Sequence, residues 1–200
     1  MADEIASDWD ASAAVGALPV GGWSGQVLRC HARKYAGDDA GGSLLTTGRY
    51  HRGSDRHPDD AWPALYTSLA QHVALGEHCR HTTPANLRNL ANQRISRLRV
   101  HLQAVLDVCA PGGCTELGVA EVRLPDLCHP SDYAVGHAIA SAARALDARI
   151  EGILVPSCTR FPEGNLIVFV DRLCHGSGIA VEESVDPDLF VDLDAVEYGR

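Results

Sequence analysis

Residues 46–82 read TTGRYHRGSDRHPDDAWPALYTSLAQHVALGEHCRHT, a polar loop followed by a short apolar run and a helical pattern. The run at 64–68 predicts a strand, and Ser68 is a suitable N-cap for the helix that follows it. Apolar residues recur along one face of that helix, and Glu77 lies at the end of the same face. Because a buried carboxylate is costly without partners, we expect Glu77 to have partners elsewhere in the fold.

The rest of the chain alternates strands and helices irregularly. Residues 26–35 form a candidate first strand, and the alternation at 100–108 predicts another. A period near 3.6 predicts a helix over 132–149, and the apolar runs at 152–156 and 165–170 predict two buried strands. This order favours an α+β fold over a doubly wound sheet.

The chain has 200 residues, enough for one domain with its own core. We predict three segments: a loosely ordered N-terminal arm at 1–25, one domain at 26–173 and an acidic C-terminal tail at 174–200. Seven acids and no base occur from 182 to 197, and the Arg-rich stretch 80–99 offers a complementary surface. The tail is therefore expected to pack, or to regulate access, without contributing catalytic groups.

Composition argues against several classes of protein. A net charge of −9 disfavours a protein that coats nucleic acid, because binding to phosphates requires an excess of Lys and Arg. No apolar run suits a membrane helix, and the N-terminal residues lack the regions of a secretory signal. Seven Cys without a CxxC pair indicate reduced thiols. We therefore expect a cytoplasmic protein that contacts neither nucleic acid nor membrane directly.

Motifs for metals and nucleotides are weak. No second pair accompanies the possible ligand pair His78 and His81, and HExxH is absent, so we expect no metal site. Neither GxxxxGKS/T nor GxGxxG after a strand occurs. Seven Cys and ten His permit many nucleophilic pairs, but no glycine elbow marks one of them.

Five polar residues near predicted element ends form a different constellation: Arg29, Arg49, Tyr66, Glu77 and Ser157. Two Arg suit the oxygens of a pyrophosphate, and an aromatic face receives a flat cationic ring. A carboxylate stabilises positive charge that develops on a sugar. An Arg–Glu salt bridge and a core Tyr are the alternative interpretation, and composition alone favours that alternative.

Two ordered motifs favour the functional interpretation. The first comprises GRY at 48–50, LYTS at 65–68 and ALGE at 74–77, and the second is GILVPSCTRFPEGNLIVF at 152–169. With these motifs the chain resembles the RES-domain family, which is named for its Arg, Glu and Ser, over residues 26–173.

The match leaves one assignment open and shows two departures from the family pattern. The family's early Arg corresponds to Arg29 or to Arg33. Tyr50-His51 stands where many relatives carry Trp-Asn, and Cys30 stands where a larger residue is common.

The resemblance implies a fold like that of ADP-ribosyltransferases: a split, mostly antiparallel sheet with flanking helices around a cleft for NAD. It implies a toxin of a toxin–antitoxin pair that cleaves the nicotinamide–ribose bond of NAD+, as a phosphorylase or a glycohydrolase. A mono-ADP-ribosyltransferase that modifies a protein, or a non-catalytic nucleotide-binding module, is the alternative. The implied partner is a small Xre-type antitoxin that covers the cleft. Whether the protein also forms a homo-oligomer is left open.

The resemblance also implies roles for residues. Glu77 would hydrogen-bond the ribose hydroxyls, and Arg29 and Arg49 would hold the pyrophosphate. Tyr66 would line the nicotinamide or ribose pocket, and Ser157 would position a phosphate or ribose oxygen. The expected catalytic residues are therefore Glu77, Arg49, Tyr66 and Ser157, and the expected NAD-binding residues are Arg29, Arg49, Tyr66, Ser157 and Asn165.

The acceptor of the ADP-ribose group is left open between phosphate, water and a protein side chain. Inorganic phosphate as co-substrate would need a further anion site, for which His51, Arg52 or Arg56 are candidates. The alternative, that these three residues are only solvated parts of the loop, is equally favoured by the sequence.

Overall fold

The computed structural model describes residues 10–80, 92–118, 133–159 and 162–187. Within these residues the helices are α1 Ala11–Gly16, α2 Gly41–Leu45, α3 Gln71–Arg80, α4 Gly113–Glu116 and α5 Ala134–Leu146. The strands are β1 Val20–Ala32, β2 Leu65–Ser68, β3 Gln93–Asp107, β4 Gly152–Val155, β5 Asn165–Val168 and β6 Gly178–Val185. In this part of the chain, no helix has the length and apolar character needed to cross a membrane.

The strands form one sheet in the order β1-β2-β5-β4-β3-β6, and β1 also pairs with β3. Because β1 pairs with both β2 and β3, five strands close into a ring, and β6 is added at the outer edge of β3. Among the described strands only the β3–β4 pairing is parallel. The fold is therefore a mixed, mostly antiparallel α/β structure with few helices, which agrees with the expected α+β class.

The predicted strand at 100–108 is longer in the structure, where β3 begins at Gln93. Its side chains alternate strictly between buried and exposed from Leu98 to Gln103, but not before Leu98. A register shift against β6 between Arg97 and Leu98 interrupts the alternation. A bulge adds a residue and so breaks the period-two alternation of side chains. The sequence pattern therefore indicates the strand only after the bulge.

The N-terminal segment expected to be a loose arm contains regular structure from residue 10 onwards. Asp10 caps α1 by accepting hydrogen bonds from two backbone N–H groups at 2.9 and 3.1 Å. Val15 and Leu18 are buried in the core, and β1 already begins at Val20. Small residues dominate the start of β1, so backbone pairing with β3 supplies the order that its side chains do not indicate.

The expected acidic tail contains β6, which pairs with the Arg-rich half of β3. Glu182 accepts from Arg99 Nε at 2.5 Å, and Glu183 accepts from Arg97 Nη1 at 3.1 Å. Exposed pairs of this kind contribute little stability each, but cross-strand charges help to specify register. Residues 188–200 lie outside the described residues, and the division of the chain into an arm, a domain and a tail stays a prediction.

A buried carboxylate fills a gap at the edge of β3, where the neighbouring strand changes from β6 to β4. Glu151, which is fully buried, accepts the backbone N–H of Gln103 at 2.5 Å, of Ala104 at 3.2 Å and of Cys174 at 2.6 Å. Burial acts to raise the pKa of Glu151, but the hydrogen bonds outweigh it and the pKa is lowered. Glu151 therefore satisfies backbone donors that neither strand reaches.

We expect Glu151→Gln to lower the free energy of unfolding by about 1–3 kcal/mol, because an amide nitrogen replaces an oxygen that accepts buried N–H groups. Urea unfolding would measure the loss. Glu182→Gln, which removes an exposed ion pair with Arg99, is the matched control and should cost less than about 1 kcal/mol. Equal losses in both variants would contradict the role given to Glu151.

Candidate functional site

The carboxylate of Glu77, on α3, is bound by the residues that follow β4 and begin β5. Its Oε1 accepts hydrogen bonds from Ser157 Oγ at 2.6 Å, from the backbone N–H of Cys158 at 3.0 Å and from Asn165 Nδ2 at 2.8 Å. Its Oε2 accepts from the thiol of Cys158 at 2.5 Å. These donors are the partners that the sequence predicted for a carboxylate on an apolar helix face.

These contacts keep Glu77 ionised. Burial acts to raise its pKa, but hydrogen bonds from Cys158 and Ser157 and the charge of Arg49 outweigh burial, so the pKa of Glu77 is lowered. For Cys158 burial dominates and raises the pKa, which keeps the thiol protonated as a donor. The site therefore combines a charged carboxylate with a neutral thiol.

Arg49 approaches the same carboxylate from the polar loop. Its Nη1 lies 4.0 Å from Glu77 Oε2, and only 11% of the Arg49 side chain is exposed. Burial acts to lower the pKa of Arg49, but neighbouring Cys158, Tyr50 and Glu77 raise it overall, so the guanidinium is charged. At this distance, beyond hydrogen-bond range, Arg49 acts on Glu77 chiefly as a nearby charge.

The loop that carries Arg49 is held by its own side chains and by α5. Asp55 Oδ1 accepts from the backbone N–H of Thr47 at 2.8 Å and from its hydroxyl at 2.6 Å. A Cβ atom at Gly136 would lie 2.2 Å from the carbonyl oxygen of Arg49. Only glycine therefore allows α5 to approach the loop this closely, and Arg49 extends from a fixed backbone.

Tyr66, on β2, is joined to the same loop. Its hydroxyl oxygen lies 2.7 Å from the backbone nitrogen of Tyr50 and 2.9 Å from His51 Nδ1. His51 Nε2 lies 2.7 Å from the carbonyl oxygen of Thr46. His51 is 4% exposed and both its ring nitrogens have partners, so it is not placed to bind an incoming phosphate.

The other two candidates for an anion site have separate surroundings. Arg52 pairs with Asp60, and its guanidinium lies 5.4 Å from the ring centre of Trp62. Arg56 is an exposed loop residue. His51, Arg52 and Arg56 therefore form no common anion site in the structure.

A cleft of about 130 Å³ lies beside Glu77 and is lined by Arg29, Tyr66 and Asn165 among others. Arg29 Nη1 donates to the carbonyl oxygens of Gly37 and Asp39 at 2.8 and 2.7 Å, and burial lowers the pKa of Arg29. Of the two candidates for the early arginine, Arg29 lines this cleft.

Arg33 instead pairs with Asp186 at 2.7 Å, in a half-exposed position. The structure therefore brings the six residues named from the sequence to one region: four line the cleft, and two contact or approach Glu77. The six are Arg29, Arg49, Tyr66, Glu77, Ser157 and Asn165. Their roles in binding and catalysis stay predictions.

Sequence reasoning gave no role to Cys158 and other roles to two further contributors: Ser68, expected as a helix N-cap, ends β2 instead, and His51, a candidate for an anion site, contacts Tyr66. Ser68 Oγ donates to Asn165 Oδ1 at 2.8 Å, which leaves Nδ2 of the same amide to face Glu77. Adjacency to Ser157 is the signal that could have found Cys158, since both bind the same carboxylate. Nothing in the local pattern of His51 indicates that it is buried.

Across the described part of the chain, no group of three or more His, Cys, Asp or Glu is arranged to hold a metal ion. His78 is described and lines the cleft, whereas His81 lies outside the described residues.

The fold and site together define a mixed α/β protein with an ionised, largely buried carboxylate that lies beside Arg49 at a small cleft. The model of the RES domain matches residues 26–192, so the chain belongs to the RES-domain family. A chain in the crystal structure of the M. tuberculosis MbcT–MbcA toxin–antitoxin complex has a similar fold, with a TM-score of 0.71 and 21% identity over 90% of this chain and 94% of that one. No curated protein matches the chain.

The lowered pKa of Glu77 links stability to pH. A carboxyl group with a lower pKa in the folded state stabilises the fold above its unfolded pKa, and this contribution is lost as the pH falls through the folded pKa. We therefore expect the melting temperature of the wild type to fall more steeply on acidification than that of Glu77→Gln, as measured by calorimetry. The same pH dependence in both proteins would show that Glu77 is not held ionised.

Proposed function

We propose that this chain is an enzyme that cleaves the nicotinamide–ribose bond of NAD+ and acts as the toxin of a toxin–antitoxin pair. The observation that carries the proposal is the ionised Glu77, anchored beside Arg49 at a cleft that Arg29 and Tyr66 also line. Membership of the RES-domain family and the fold shared with a chain of a toxin–antitoxin complex support it. An ADP-ribosyltransferase-like arrangement of the sheet around the cleft is part of the same proposal.

The charge of Glu77 suits the transition state of this cleavage. Nicotinamide leaves as a neutral molecule, so the step needs no strong general acid, while positive charge develops on the ribose ring. A preorganised carboxylate stabilises that charge because it needs no reorganisation when the bond breaks. The donors on Oε1 of Glu77 provide the preorganisation.

The two oxygens of Glu77 have different roles in this proposal. Oε1 accepts three hydrogen bonds from the protein and serves as the anchor. Oε2 accepts from the thiol of Cys158, and a thiol is a weak donor that a hydroxyl readily replaces. We therefore expect the ribose hydroxyls to bind at Oε2 and to displace the Cys158 thiol.

The arginines supply the binding energy for the pyrophosphate. Arg29, from β1, lines the cleft, and Arg49, from the loop, lies 4.0 Å from the Glu77 carboxylate, so guanidinium groups from two different elements flank the proposed site. A planar guanidinium binds phosphate oxygens through paired hydrogen bonds, which fixes orientation as well as affinity. Orientation of this kind lowers the entropic part of the barrier at the ribose.

Products distinguish the possible acceptors. We propose that phosphate or water accepts the ADP-ribose group and that the protein acts in the cytoplasm. We also propose that its partner is a small Xre-type antitoxin that covers the cleft. The protein-modifying transferase and the non-catalytic binding module are outcomes of the same experiment.

We expect purified protein, separated from any bound partner, to consume NAD+ and release nicotinamide. Chromatography of the reaction products, with and without inorganic phosphate, would measure both. Phosphate-dependent loss indicates phosphorolysis, phosphate-independent formation of ADP-ribose indicates hydrolysis, and labelled protein indicates transfer. If NAD+ is not consumed and no protein is labelled under any of these conditions, the proposal of an enzyme is wrong.

Glu77→Gln should lower turnover by about 10²–10³, because the near-isosteric amide lacks the charge that stabilises the transition state. The rate of nicotinamide release measures this. Glu116→Gln, at an exposed position in α4, is the matched control and should retain wild-type turnover. Wild-type turnover in Glu77→Gln would mean that another group stabilises the ribose.

Arg49→Lys should lower kcat/KM for NAD+ by about 10–100-fold, because Lys keeps the charge but loses the paired hydrogen bonds of the guanidinium. Steady-state kinetics over a range of NAD+ concentrations gives the value. Arg52→Lys, at a residue of the same loop that pairs with Asp60, is the matched control. An unchanged kcat/KM in Arg49→Lys would indicate that Arg49 binds no phosphate.

A further inference from the structure

The hydrogen bonds of His51 determine which of its ring nitrogens carries the proton. Nε2 lies 2.7 Å from the carbonyl oxygen of Thr46, which can only accept. Nε2 is therefore protonated, and in a neutral imidazole Nδ1 is then a bare acceptor. Nδ1 lies 2.9 Å from the hydroxyl of Tyr66, so Tyr66 donates its single proton to His51.

The surroundings of His51 favour this neutral ring. The residue is 4% exposed, and burial is the largest influence that lowers the pKa of His51. His137, on α5, acts in the same direction, while the backbone carbonyls of Thr46 and Ser43 and the charge of Asp55 act against it. Burial and His137 together prevail.

The hydroxyl of Tyr66 is consequently engaged inside the protein. Its proton goes to His51, and its oxygen accepts the backbone N–H of Tyr50 at 2.7 Å. The His51 ring also meets the Tyr66 ring edge-on, with 5.4 Å between ring centres and an angle of 69°. Since Tyr66 lines the cleft, what it offers a ligand is its aromatic ring rather than a hydroxyl donor.

Space for the His51 ring depends on a neighbouring glycine. A Cβ atom at Gly48 would lie 2.3 Å from His51 Cε1 and 3.1 Å from the hydroxyl of Tyr66. Gly48 therefore leaves room for the imidazole between the loop backbone and β2. The pair of His51 and Tyr66 also joins the Arg49 loop to the wall of the cleft.

We propose that His51 is a positioning residue that acts through Tyr66: as a neutral imidazole protonated on Nε2, it accepts the Tyr66 proton and holds the Tyr66 ring as the wall against which the flat cationic ring of a dinucleotide packs. The identity of the ligand, a dinucleotide with a flat cationic ring, rests on the proposed function. The proton arrangement rests on the hydrogen bonds and the burial of His51, and not on any ligand, so the two are tested separately.

Nitrogen NMR of ¹⁵N-histidine-labelled protein tests the proton arrangement without any ligand. The ring signals that His51→Asn removes from the spectrum identify His51. We expect one nitrogen of this ring, assigned to Nδ1 by its proton couplings, to have the shift of a bare acceptor, and the other to be protonated. A protonated Nδ1 would overturn the proposal, and this holds whether or not the protein consumes NAD+.

Two substitutions separate the contacts of His51. The amide of Asn reaches roughly where Nδ1 lies and can accept the Tyr66 proton, whereas the amide of Gln reaches roughly where Nε2 lies and can donate to Thr46. We expect His51→Gln to raise KM for NAD+ by about tenfold, the size of one aromatic contact, and His51→Asn to raise it far less. A purely structural loss would lower the active fraction, and hence kcat, without this change in KM.

Tyr66→Phe completes the test as a double-mutant cycle. It should raise KM to the same extent as His51→Gln, and the double variant should be no worse than either one, because both remove the same contact. His101→Gln, at an exposed position on β3, is the control for histidine loss. Additive effects, or equal KM values in His51→Asn and His51→Gln, would show that His51 does not act through Tyr66. Inactivity of the wild type would overturn the proposed function, and the NMR result would still decide the proton arrangement.

Discussion

The hydrogen-bonded carboxylate of Glu77 is the interaction on which the site depends. It joins α3 to the residues between β4 and β5, through donors from Ser157, Cys158 and Asn165. Asn165 is oriented in turn by Ser68, at the end of β2. A helix, two strands and a loop therefore meet at one charged group, and removing its donors would leave a largely buried charge with the nearby guanidinium of Arg49 but without its hydrogen bonds.

Glu151 and Glu77 are two described carboxylates for which burial is the largest single influence on the pKa, and in both the hydrogen bonds outweigh burial and lower the pKa. The nature of the donors distinguishes them. Glu151 is bound by backbone N–H groups of β3, which are fixed within the sheet, and by the backbone N–H of Cys174. Glu77 is bound at Oε2 by a thiol, on a side chain that can rotate. The first is therefore suited to hold strands together, and the second is suited to exchange a donor for a ligand.

Close approach of the backbone provides the rigidity of the arginine loop. Gly136 lets α5 approach the carbonyl group of Arg49, and Gly48 leaves room for the ring of His51. With the bonds between Thr47 and Asp55, these contacts hold the loop through many small constraints rather than through one strong one. A charged side chain on such a loop is oriented before any ligand arrives, which reduces the entropic cost of binding.

The sequence by itself predicted β2, α3, α5, β4 and β5 closely, because each has a local pattern of burial that is readable within ten or so residues. It also named Glu77, Arg49 and Ser157 from two motifs, although their meeting depends on residues about 80 positions apart.

Only the tertiary structure decided that Arg29 rather than Arg33 lines the cleft, that Cys158 shares Glu77 with Ser157, and that His51 is buried. It also decided where β1 and β3 begin, since pairing between distant strands orders segments with small or charged side chains. The physical reason is the same in each case: periodicity records which face of an element is buried, whereas hydrogen bonds between distant segments depend on how those faces are brought together.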